Sequence, residues 1–256
     1  MKVSNHKLTL FLLAGWIAHC APLATAWAAE AEEPSRIIFN NVNIFDGKND
    51  GLTMGMSVLV ENNLIKKIAK GPMTVTGKAA VIDGKGKTLM PGLIDHHVHY
   101  STFVPLSDTR ANMHPYAHGA LALLRAKEFL MNGYTTTRDM GGPSNFLRKI
   151  IDEGLTPGPR IYPTENWITP SSGHGDFRDL NDSSKGIDHF YSEYVSTVAD
   201  GPDEITKAVR NAFRRGATQI KLFTSGGITS TYDTLHSAPN ADEIQAAVKV
   251  AEVEVS

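Results

Sequence analysis

Three histidines and an aspartate follow one apolar run in the sequence LMPGLIDHHVHYS, which spans residues 89–101. His97 and His99 are separated by one residue, and side chains two apart on a β-strand lie on the same face. Two imidazoles side by side at the end of a strand can bind one divalent metal ion. His96 falls on the opposite face, where it packs or contacts solvent. The spacing predicts a metal site at His97 and His99, although an ordinary histidine-rich loop would have the same composition.

Two later residues could also take part in chemistry. Lys221 lies in IKLFTSGG, at the end of an apolar run, where a lysine can equally hold its ammonium group in solvent or pair with a carboxylate. His174 lies between two glycines in SSGHGD, a setting that suits either a catalytic residue or a flexible surface loop. Arg138 and Asp139 lie near the end of the Thr-rich segment YTTTRDM, and we expect them to form a structural ion pair. The remaining histidines have no spacing typical of metal ligands: His114, His118, His189 and His236.

Strand-like and helix-like segments alternate after Pro91, which implies parallel strands and an α/β fold. The predicted strands are Leu93–His99, Thr135–Asp139, Ile161–Trp167 and Gln219–Thr224. The predicted helices span residues 115–132, 144–152 and 202–215, and a fourth begins at the N-cap Asn240, with Glu243 at the capping-box position. A long polar loop is expected between residues 170 and 200. Because parallel strands direct their carboxyl ends to one side, His97, His99 and Lys221 are expected to converge there.

The segment before Pro91 has a different pattern. Residues 36–90 contain short apolar runs separated by Asn, Asp and Gly, which predicts a small antiparallel β unit. Asn62 and Asn63 suit a tight hairpin turn, because Asn tolerates a positive φ angle. We therefore expect two structural parts, a small β unit over residues 36–90 and an α/β part over residues 91–256.

The first 28 residues have the three parts of a secretory signal peptide. Lys2 and Lys7 precede a short apolar run, and Ala26-Trp27-Ala28 forms a small-residue cleavage site. This pattern predicts a periplasmic or secreted protein without a membrane anchor after cleavage, and the alternative is an uncleaved N-terminal anchor. The single cysteine, Cys20, lies in this segment, so no internal disulfide can form.

The composition excludes some partners. The 256 residues carry a formal net charge of −2, with 41% hydrophobic and 20% charged residues. This balance is typical of a globular protein and gives no reason to expect nucleic acid or an acidic membrane surface as a partner. Composition does not predict the ligand or the oligomeric state.

Four segments together resemble the amidohydrolase superfamily. PGLIDHHVH is similar to the metal signature on its first barrel strand, and NGYTTTRDMGG, SGHGD and IKLFTSGG are similar to later segments of one branch. That branch contains imidazolonepropionase-like enzymes and Xaa-Pro or Xaa-Arg dipeptidases. The resemblance implies the N-terminal part of a TIM-like (β/α)₈ metal-dependent hydrolase barrel, preceded by a small β-sandwich unit.

The resemblance also implies roles for particular residues. His97 and His99 would bind a divalent metal, expected to be zinc, and a carboxylated Lys221 would bridge two such ions. A desolvated lysine has a depressed pKa, and its neutral amine can react with carbon dioxide. His174 would contact the scissile carbonyl of the substrate. The implied reaction is hydrolysis of a C–N bond, in an amide, a cyclic amide or a dipeptide, by metal-activated water.

The chain supplies only part of the implied barrel. A (β/α)₈ barrel takes about 250 residues, and residues 92–256 supply about half of its units. In the family, further histidines on the fifth and sixth strands and an aspartate on the eighth complete the site. We therefore expect a truncated chain that is inactive on its own. Two alternatives stay open: an exported non-catalytic remnant that binds a metal or ligand, and a half-barrel that self-associates. The substrate is not predicted, because the specificity loops lie largely on later strands.

Overall fold

The computed structural model describes residues 36–101, 114–178, 194–227 and 238–255. The chain divides into two compact units, Met1–Met90 and Pro91–Ser256. The predicted signal peptide, residues 179–193 of the predicted polar loop, and His236 lie outside the described residues, and His189 falls within that part of the loop. Within the described ranges, no helix combines the length and the apolar character needed to cross a membrane.

The first unit is a five-stranded sheet with the order β3-β2-β1-β4, in which β5 also pairs with β1. Its strands are β1 Arg36–Ile44, β2 Thr53–Glu61, β3 Leu64–Lys70, β4 Ala80–Asp83 and β5 Thr88–Leu89. The predicted hairpin turn is confirmed, since Asn62 has a φ of 55° between β2 and β3. Ile38, Leu59 and Met73 form the core of this unit.

This sheet is mixed, so the prediction of a purely antiparallel unit is wrong. The pairs β1–β2 and β2–β3 are antiparallel, whereas β4 and β5 are parallel to β1. The physical reason is the connection over residues 71–79, which carries the chain from β3 past β2 to the far side of β1. The chain then enters β4 in the direction of β1. The described residues of this unit form one sheet, and a second sandwich layer is not among them.

The second unit alternates strands and helices, which confirms the predicted α/β class and a partial barrel. Its strands are β6 Leu93–Val98, β7 Tyr134–Asp139, β8 Arg160–Pro163, β9 Trp167–Thr169 and β10 Ser196–Val198. Its helices are α1 Pro115–Met131, α2 Ser144–Asp152, α3 Gly201–Arg215 and α4 Ala241–Val255. The strands β6, β7 and β8 form one parallel sheet, and β9 and β10 form a second parallel pair. The predicted parallel direction is therefore confirmed.

The strand predicted over Ile161–Trp167 is interrupted. β8 ends at Pro163, and Glu165 adopts a left-handed φ of 58° and forms an isolated bridge with Gly142. After this bend the chain continues as β9, which pairs with β10 and not with β7. A left-handed residue cannot continue a regular ladder, and this divides the segment into two strands. β10 itself lies inside the region predicted to be a loop.

The strand predicted over Gln219–Thr224 is also not regular. Only Leu222 forms a bridge, parallel to Ile168. The backbone nevertheless bonds as a short parallel ladder, since Ile168 N donates to Lys221 O at 2.9 Å and Phe223 N donates to Ile168 O at 2.9 Å. We call residues 218–224 the lysine segment. It lies beside β9, where the fourth strand was expected.

The helices agree with their predicted ranges to within one or two residues. The capping box of α4 is confirmed, because Glu243 N donates to Asn240 Oδ1 at 3.0 Å and Asn240 N donates to Glu243 Oε2 at 2.7 Å. Gly216 ends α3 with a left-handed φ of 101°. α4 continues through Val255.

Two larger hydrophobic clusters and a smaller one, formed by Trp167 and Val195, hold the second unit together. Cluster A consists of Val98, Tyr100, Ala122, Ala126, Leu147 and Ile161, and joins β6 and β8 to α1 and α2. Cluster B consists of Ile168, Ala199, Ile205, Ala208, Val209 and Ala247, with Ile220 and Leu222 packed against it. Cluster A supports the strand that carries the histidine pair, and cluster B supports the lysine segment.

Candidate metal and catalytic site

The four residues singled out from the sequence line one cavity in the second unit. His97 and His99 lie at the end of β6, His174 lies in the loop after β9, and Lys221 lies in the lysine segment. The cavity has a volume of about 590 Å³. Its wall also contains the aromatic side chains of Trp167, Phe177 and Phe223. The expected convergence of His97, His99 and Lys221 is what the structure shows, whereas their role as metal ligands stays a prediction.

The two histidines lie side by side in a setting that favours neutral imidazole. Their ring centroids are 5.3 Å apart at an angle of 64°. Burial is the main cause that lowers the pKa of His97, followed by the positive charges of Lys221 and Arg138. Burial also lowers the pKa of His99, although a hydrogen bond with the Gly141 carbonyl opposes this shift. Neutral imidazole is the form that binds a metal, so both side chains are prepared for that role.

The backbone at the end of β7 holds the ring of His99. Its Nδ1 lies 3.4 Å from Gly141 O and 4.0 Å from Asp139 Oδ1. The Asp139 side chain is fully buried, and this burial raises its pKa to about 8. The hydrogen bonds that the carboxylate accepts oppose the shift, among them one from Gly141 N at 3.1 Å. If Nδ1 carries the proton toward Gly141 O, Nε2 is the nitrogen left to bind a metal.

The predicted ion pair between Arg138 and Asp139 is wrong. Successive residues on a strand face opposite sides. Arg138 Nε donates to the His96 carbonyl oxygen at 2.7 Å, on the more exposed side of β7, while Asp139 is buried beside His99. His96 itself is exposed, as expected from its place on the other face of β6.

Lys221 lies in partly desolvated, positively charged surroundings. Burial lowers its pKa, and the nearby charge of Arg138 lowers it further. Its Nζ lies 4.9 Å from the centroid of the Phe223 ring. A lowered pKa increases the fraction of neutral amine, which is the form that reacts with carbon dioxide.

The loop that carries His174 is fixed by hydrogen bonds. The Asp176 carboxylate, 5% exposed, accepts from Ser172 N at 2.8 Å and from Arg178 Nε at 2.7 Å. The His174 ring packs edge-on against Phe223, with centroids 4.8 Å apart at 89°. A Cβ atom on Gly227 would come within 2.4 Å of the same ring, so only glycine allows this approach. Burial lowers the pKa of His174, and Lys221 adds to the shift.

These residues could bind a metal only as two imidazoles together with a modified lysine. Among the described residues, no group of three His, Cys, Asp or Glu side chains is placed to hold a metal ion. The cavity offers two neutral imidazoles and a lysine amine, and an amine becomes an anionic oxygen ligand only when it is carboxylated. The donor set therefore fits a divalent cation through His97 and His99, with Lys221 as a conditional third ligand.

Sequence reasoning missed two residues that shape this site. Trp167 contacts both His99 and Phe223, with centroid distances of 5.7 and 5.4 Å. A large aromatic residue at the carboxyl end of a predicted barrel strand was the available signal. Asp139 was assigned to a structural ion pair with Arg138, although its place at the end of a strand beside the histidine strand indicated a site residue.

Comparison with known proteins agrees with the fold. Residues 88–255 match the profile of the amidohydrolase family. Ochratoxinase of Aspergillus niger is 32% identical over 166 residues, which cover 60% of this chain and 35% of the relative. A prolidase solved with N-methylphosphonate-L-proline has a TM-score of 0.77 at 31% identity, covering 85% of this chain and 54% of that one. A Xaa-Pro dipeptidase solved with bound methionine has a TM-score of 0.72 at 26% identity, covering 86% and 54%.

The chain thus spans about a third of the length of the ochratoxinase and about half of each of the two solved structures. The family match extends from the last strand of the first unit to the end of α4, and includes every residue that lines the cavity. On the extent of that match, this chain belongs to the amidohydrolase family.

Proposed function

We propose that the chain carries the N-terminal half of a metal-dependent active site that hydrolyses C–N bonds. The observation that carries this proposal is the convergence of residues from three distant segments, 97–99, 174 and 221, on one cavity. The names of the matched relatives, a prolidase, a Xaa-Pro dipeptidase and an ochratoxinase, support an amide or dipeptide as the substrate class.

Each residue has a distinct task in this proposal. His97 and His99 bind a divalent cation, with zinc as the expected metal, through neutral imidazole nitrogens. Lys221, once carboxylated, would add an anionic oxygen ligand for the divalent metal. His174 donates a hydrogen bond to the carbonyl oxygen of the scissile bond. The bound metal would supply Lewis-acid polarisation of that carbonyl and activation of a water molecule.

Zinc binding to the full chain tests the histidine assignment. Isothermal titration calorimetry should show zinc binding that His97→Ala and His99→Ala each weaken by at least about 100-fold. Loss of a residue that only hydrogen-bonds a metal ligand typically costs less than this. The matched control is His96→Ala, which removes an exposed imidazole from the other face of the same strand and should leave zinc affinity unchanged. Equal loss in all three variants would contradict the assignment.

Carboxylation of Lys221 has its own test. With ¹³C-bicarbonate and zinc present, the full chain should show a carbamate carbon signal that disappears in Lys221→Ala. Lys149→Ala, which removes an exposed lysine, should retain the signal. A signal that survives Lys221→Ala would assign the carbamate elsewhere.

Turnover by this chain alone should be negligible. The residues assigned here hold a cation and contact a carbonyl, but none is placed to transfer the proton of the attacking water, a step worth about 10²–10⁴-fold in rate. A panel of Xaa-Pro and Xaa-Arg dipeptides, with added zinc and bicarbonate, provides the assay. Turnover near the enzyme median of about 10 s⁻¹, abolished by His97→Ala, would overturn this expectation.

A further inference from the structure

The side chain of Trp167 is central to the cavity, although it carries no acid–base or ligating group. It follows the bend at Glu165, begins β9 and is 5% exposed. Its ring packs edge-on against His99, with centroids 5.7 Å apart at 88°, and against Phe223 at 5.4 Å and 68°. His99 contacts His97, and Phe223 contacts both His174 and Lys221. One indole ring therefore reaches every predicted site residue directly or through one neighbour.

The indole also packs against the peptide that holds His99. A Cβ atom on Gly141 would lie 2.2 Å from Cε3 of Trp167, so the ring rests directly on the Gly141 backbone. The carbonyl of Gly141 is the group that faces His99 Nδ1 at 3.4 Å. Trp167 thus supports both the imidazole ring and the acceptor that sets its tautomer.

A buried polar atom indicates that packing, not hydrogen bonding, places this ring. Trp167 Nε1 is fully covered and has no hydrogen-bond partner among the described residues. A Cβ atom on Gly175 would come within 2.7 Å of that nitrogen, so the loop of His174 closes over it. An unpaired buried N–H costs free energy that a phenylalanine would not incur. The ring is held by the fit of its faces and edges against its neighbours.

We propose that Trp167 is a positioning residue that locks His99 in the Nδ1–H tautomer and so presents Nε2 to a metal ion in the cavity. The proposal rests on the proposed function in one respect, the identity of His99 as a metal ligand. Partners that orient a ligating histidine typically change metal affinity about 10–100-fold when they are removed. Trp167 acts in the same way through ring packing.

The first test reads the tautomer without any metal. In a long-range ¹H–¹⁵N correlation spectrum of the full chain, His99 should show a single Nδ1–H tautomer. Trp167→Phe, which keeps an aromatic ring for the edge-on contacts, should retain it, whereas Trp167→Ala should show a mixture of both tautomers. Leu59→Ala is the matched control, because it opens a cavity in the core of the first unit, whereas the site lies in the second unit, and it should leave the tautomer unchanged. A single Nδ1–H tautomer in Trp167→Ala would overturn the proposal.

The second test asks whether a metal ion binds close to Trp167. The full chain with Trp16→Phe and Trp27→Phe retains Trp167 as its sole tryptophan. Ni²⁺ bound at the metal site should quench the fluorescence of Trp167, and His99→Ala should remove the quenching. Calorimetry with Zn²⁺ should then show a loss of about 10–100-fold in Trp167→Ala and a smaller loss in Trp167→Phe.

The two tests separate two different failures. Absence of Zn²⁺ binding, with the Trp167-dependent tautomer intact, would refute the metal site and leave the positioning role standing. Binding that depends on His97 and His99 but is equal in wild type, Trp167→Ala and Leu59→Ala would refute the positioning role alone.

Discussion

The two sides of the cavity are built in different ways. The histidine side is a named strand, in which β6 forms a parallel ladder with β7, with register shifts between Leu93 and Ile94 and between Asp95 and Val98, and rests on cluster A. The lysine side is an irregular segment that contacts β9 through one bridge and a few backbone hydrogen bonds, and rests on cluster B. At its paired positions a ladder fixes the face of the side chain, because a shift of one residue would reverse it. The position of Lys221 depends instead on how α3 and α4 pack beneath its segment.

Core truncations on the two sides should have the largest effects on stability and should differ in where they act. Ile161→Ala in β8 and Ile168→Ala in β9 each remove a side chain that is 1% exposed, and each should lower the free energy of unfolding by about 2–5 kcal/mol. Urea unfolding measures this loss. Val253→Ala, at a position 75% exposed, is the control and should change little.

Hydrogen exchange then separates the two sides. The Phe223 amide, which donates to Ile168 O, should lose protection in Ile168→Ala, and the Met140 amide, which donates to Val98 O, should lose it in Ile161→Ala. Equal loss at both amides in both variants would show that clusters A and B unfold as one unit, and would contradict the comparison.

Glu165 joins the two sides, and its removal should have the next largest effect. Its buried carboxylate accepts from Asn145 N at 2.8 Å, at the start of α2, and lies 3.7 Å from Arg215 Nε at the end of α3. Glu165→Ala leaves a buried donor without its acceptor and should cost about 1–3 kcal/mol. Glu165→Gln keeps an acceptor oxygen for Asn145 and should cost less, as measured by urea unfolding. Equal losses of unfolding free energy in Glu165→Ala and Glu165→Gln would indicate that the charge of Glu165, and not its hydrogen bond, stabilises this position.

The sequence predicted the histidine side better than the lysine side, and the reason is physical. Alternation along β6 depends only on local geometry, so the shared face of His97 and His99 follows from their spacing. The capping box at Asn240 and Glu243 is equally local, and it is confirmed. The bend at Glu165 is not local, since it depends on a partner in the loop after β7 and on buried contacts with α2 and α3.

The same limit applies inside the site. Four site residues could be named from motifs, because their types and segments carry the information. The role of Trp167 could not, because its contacts come from residues 99, 141, 177 and 223, which are distant in sequence. Asp139 was placed in the wrong pair for a related reason. The sequence shows that Arg138 is adjacent to Asp139 along the chain, but it does not show that His99 is its neighbour in space.

The histidine side should also respond to acid through His118 of α1. This side chain is 5% exposed, and burial lowers its pKa below the ordinary value of 6.5, against a hydrogen bond with the Ser101 backbone. The unfolded chain therefore binds this proton at a higher pH than the folded protein does. The free energy of unfolding should fall as the pH drops below about 6.5 toward the lower folded pKa.

Replacement of His118 should reduce this loss. His118→Leu should narrow the difference in urea midpoint between pH 7 and pH 5, whereas His96→Leu, at an exposed position of β6, should leave the difference unchanged. An unchanged difference in His118→Leu would show that other groups cause the acid sensitivity of this side.

The smallest effect is expected at the start of α4, which supports the lysine side. Asn240 Oδ1 accepts from Glu243 N, and Glu243 in return accepts from Asn240 N and from Gly201 N, the first residue of α3. Asn240→Ala removes one half of this box and should lower the free energy of unfolding by about 1 kcal/mol. Asn240→Asp keeps a side-chain acceptor beside the helix N-terminus and should restore most of the loss. Because the box also ties α4 to α3, Asn240→Ala should raise the exchange rate of the Phe223 amide more than that of the Met140 amide. Equal changes at the two amides would mean that the lysine side does not depend on this helix pair.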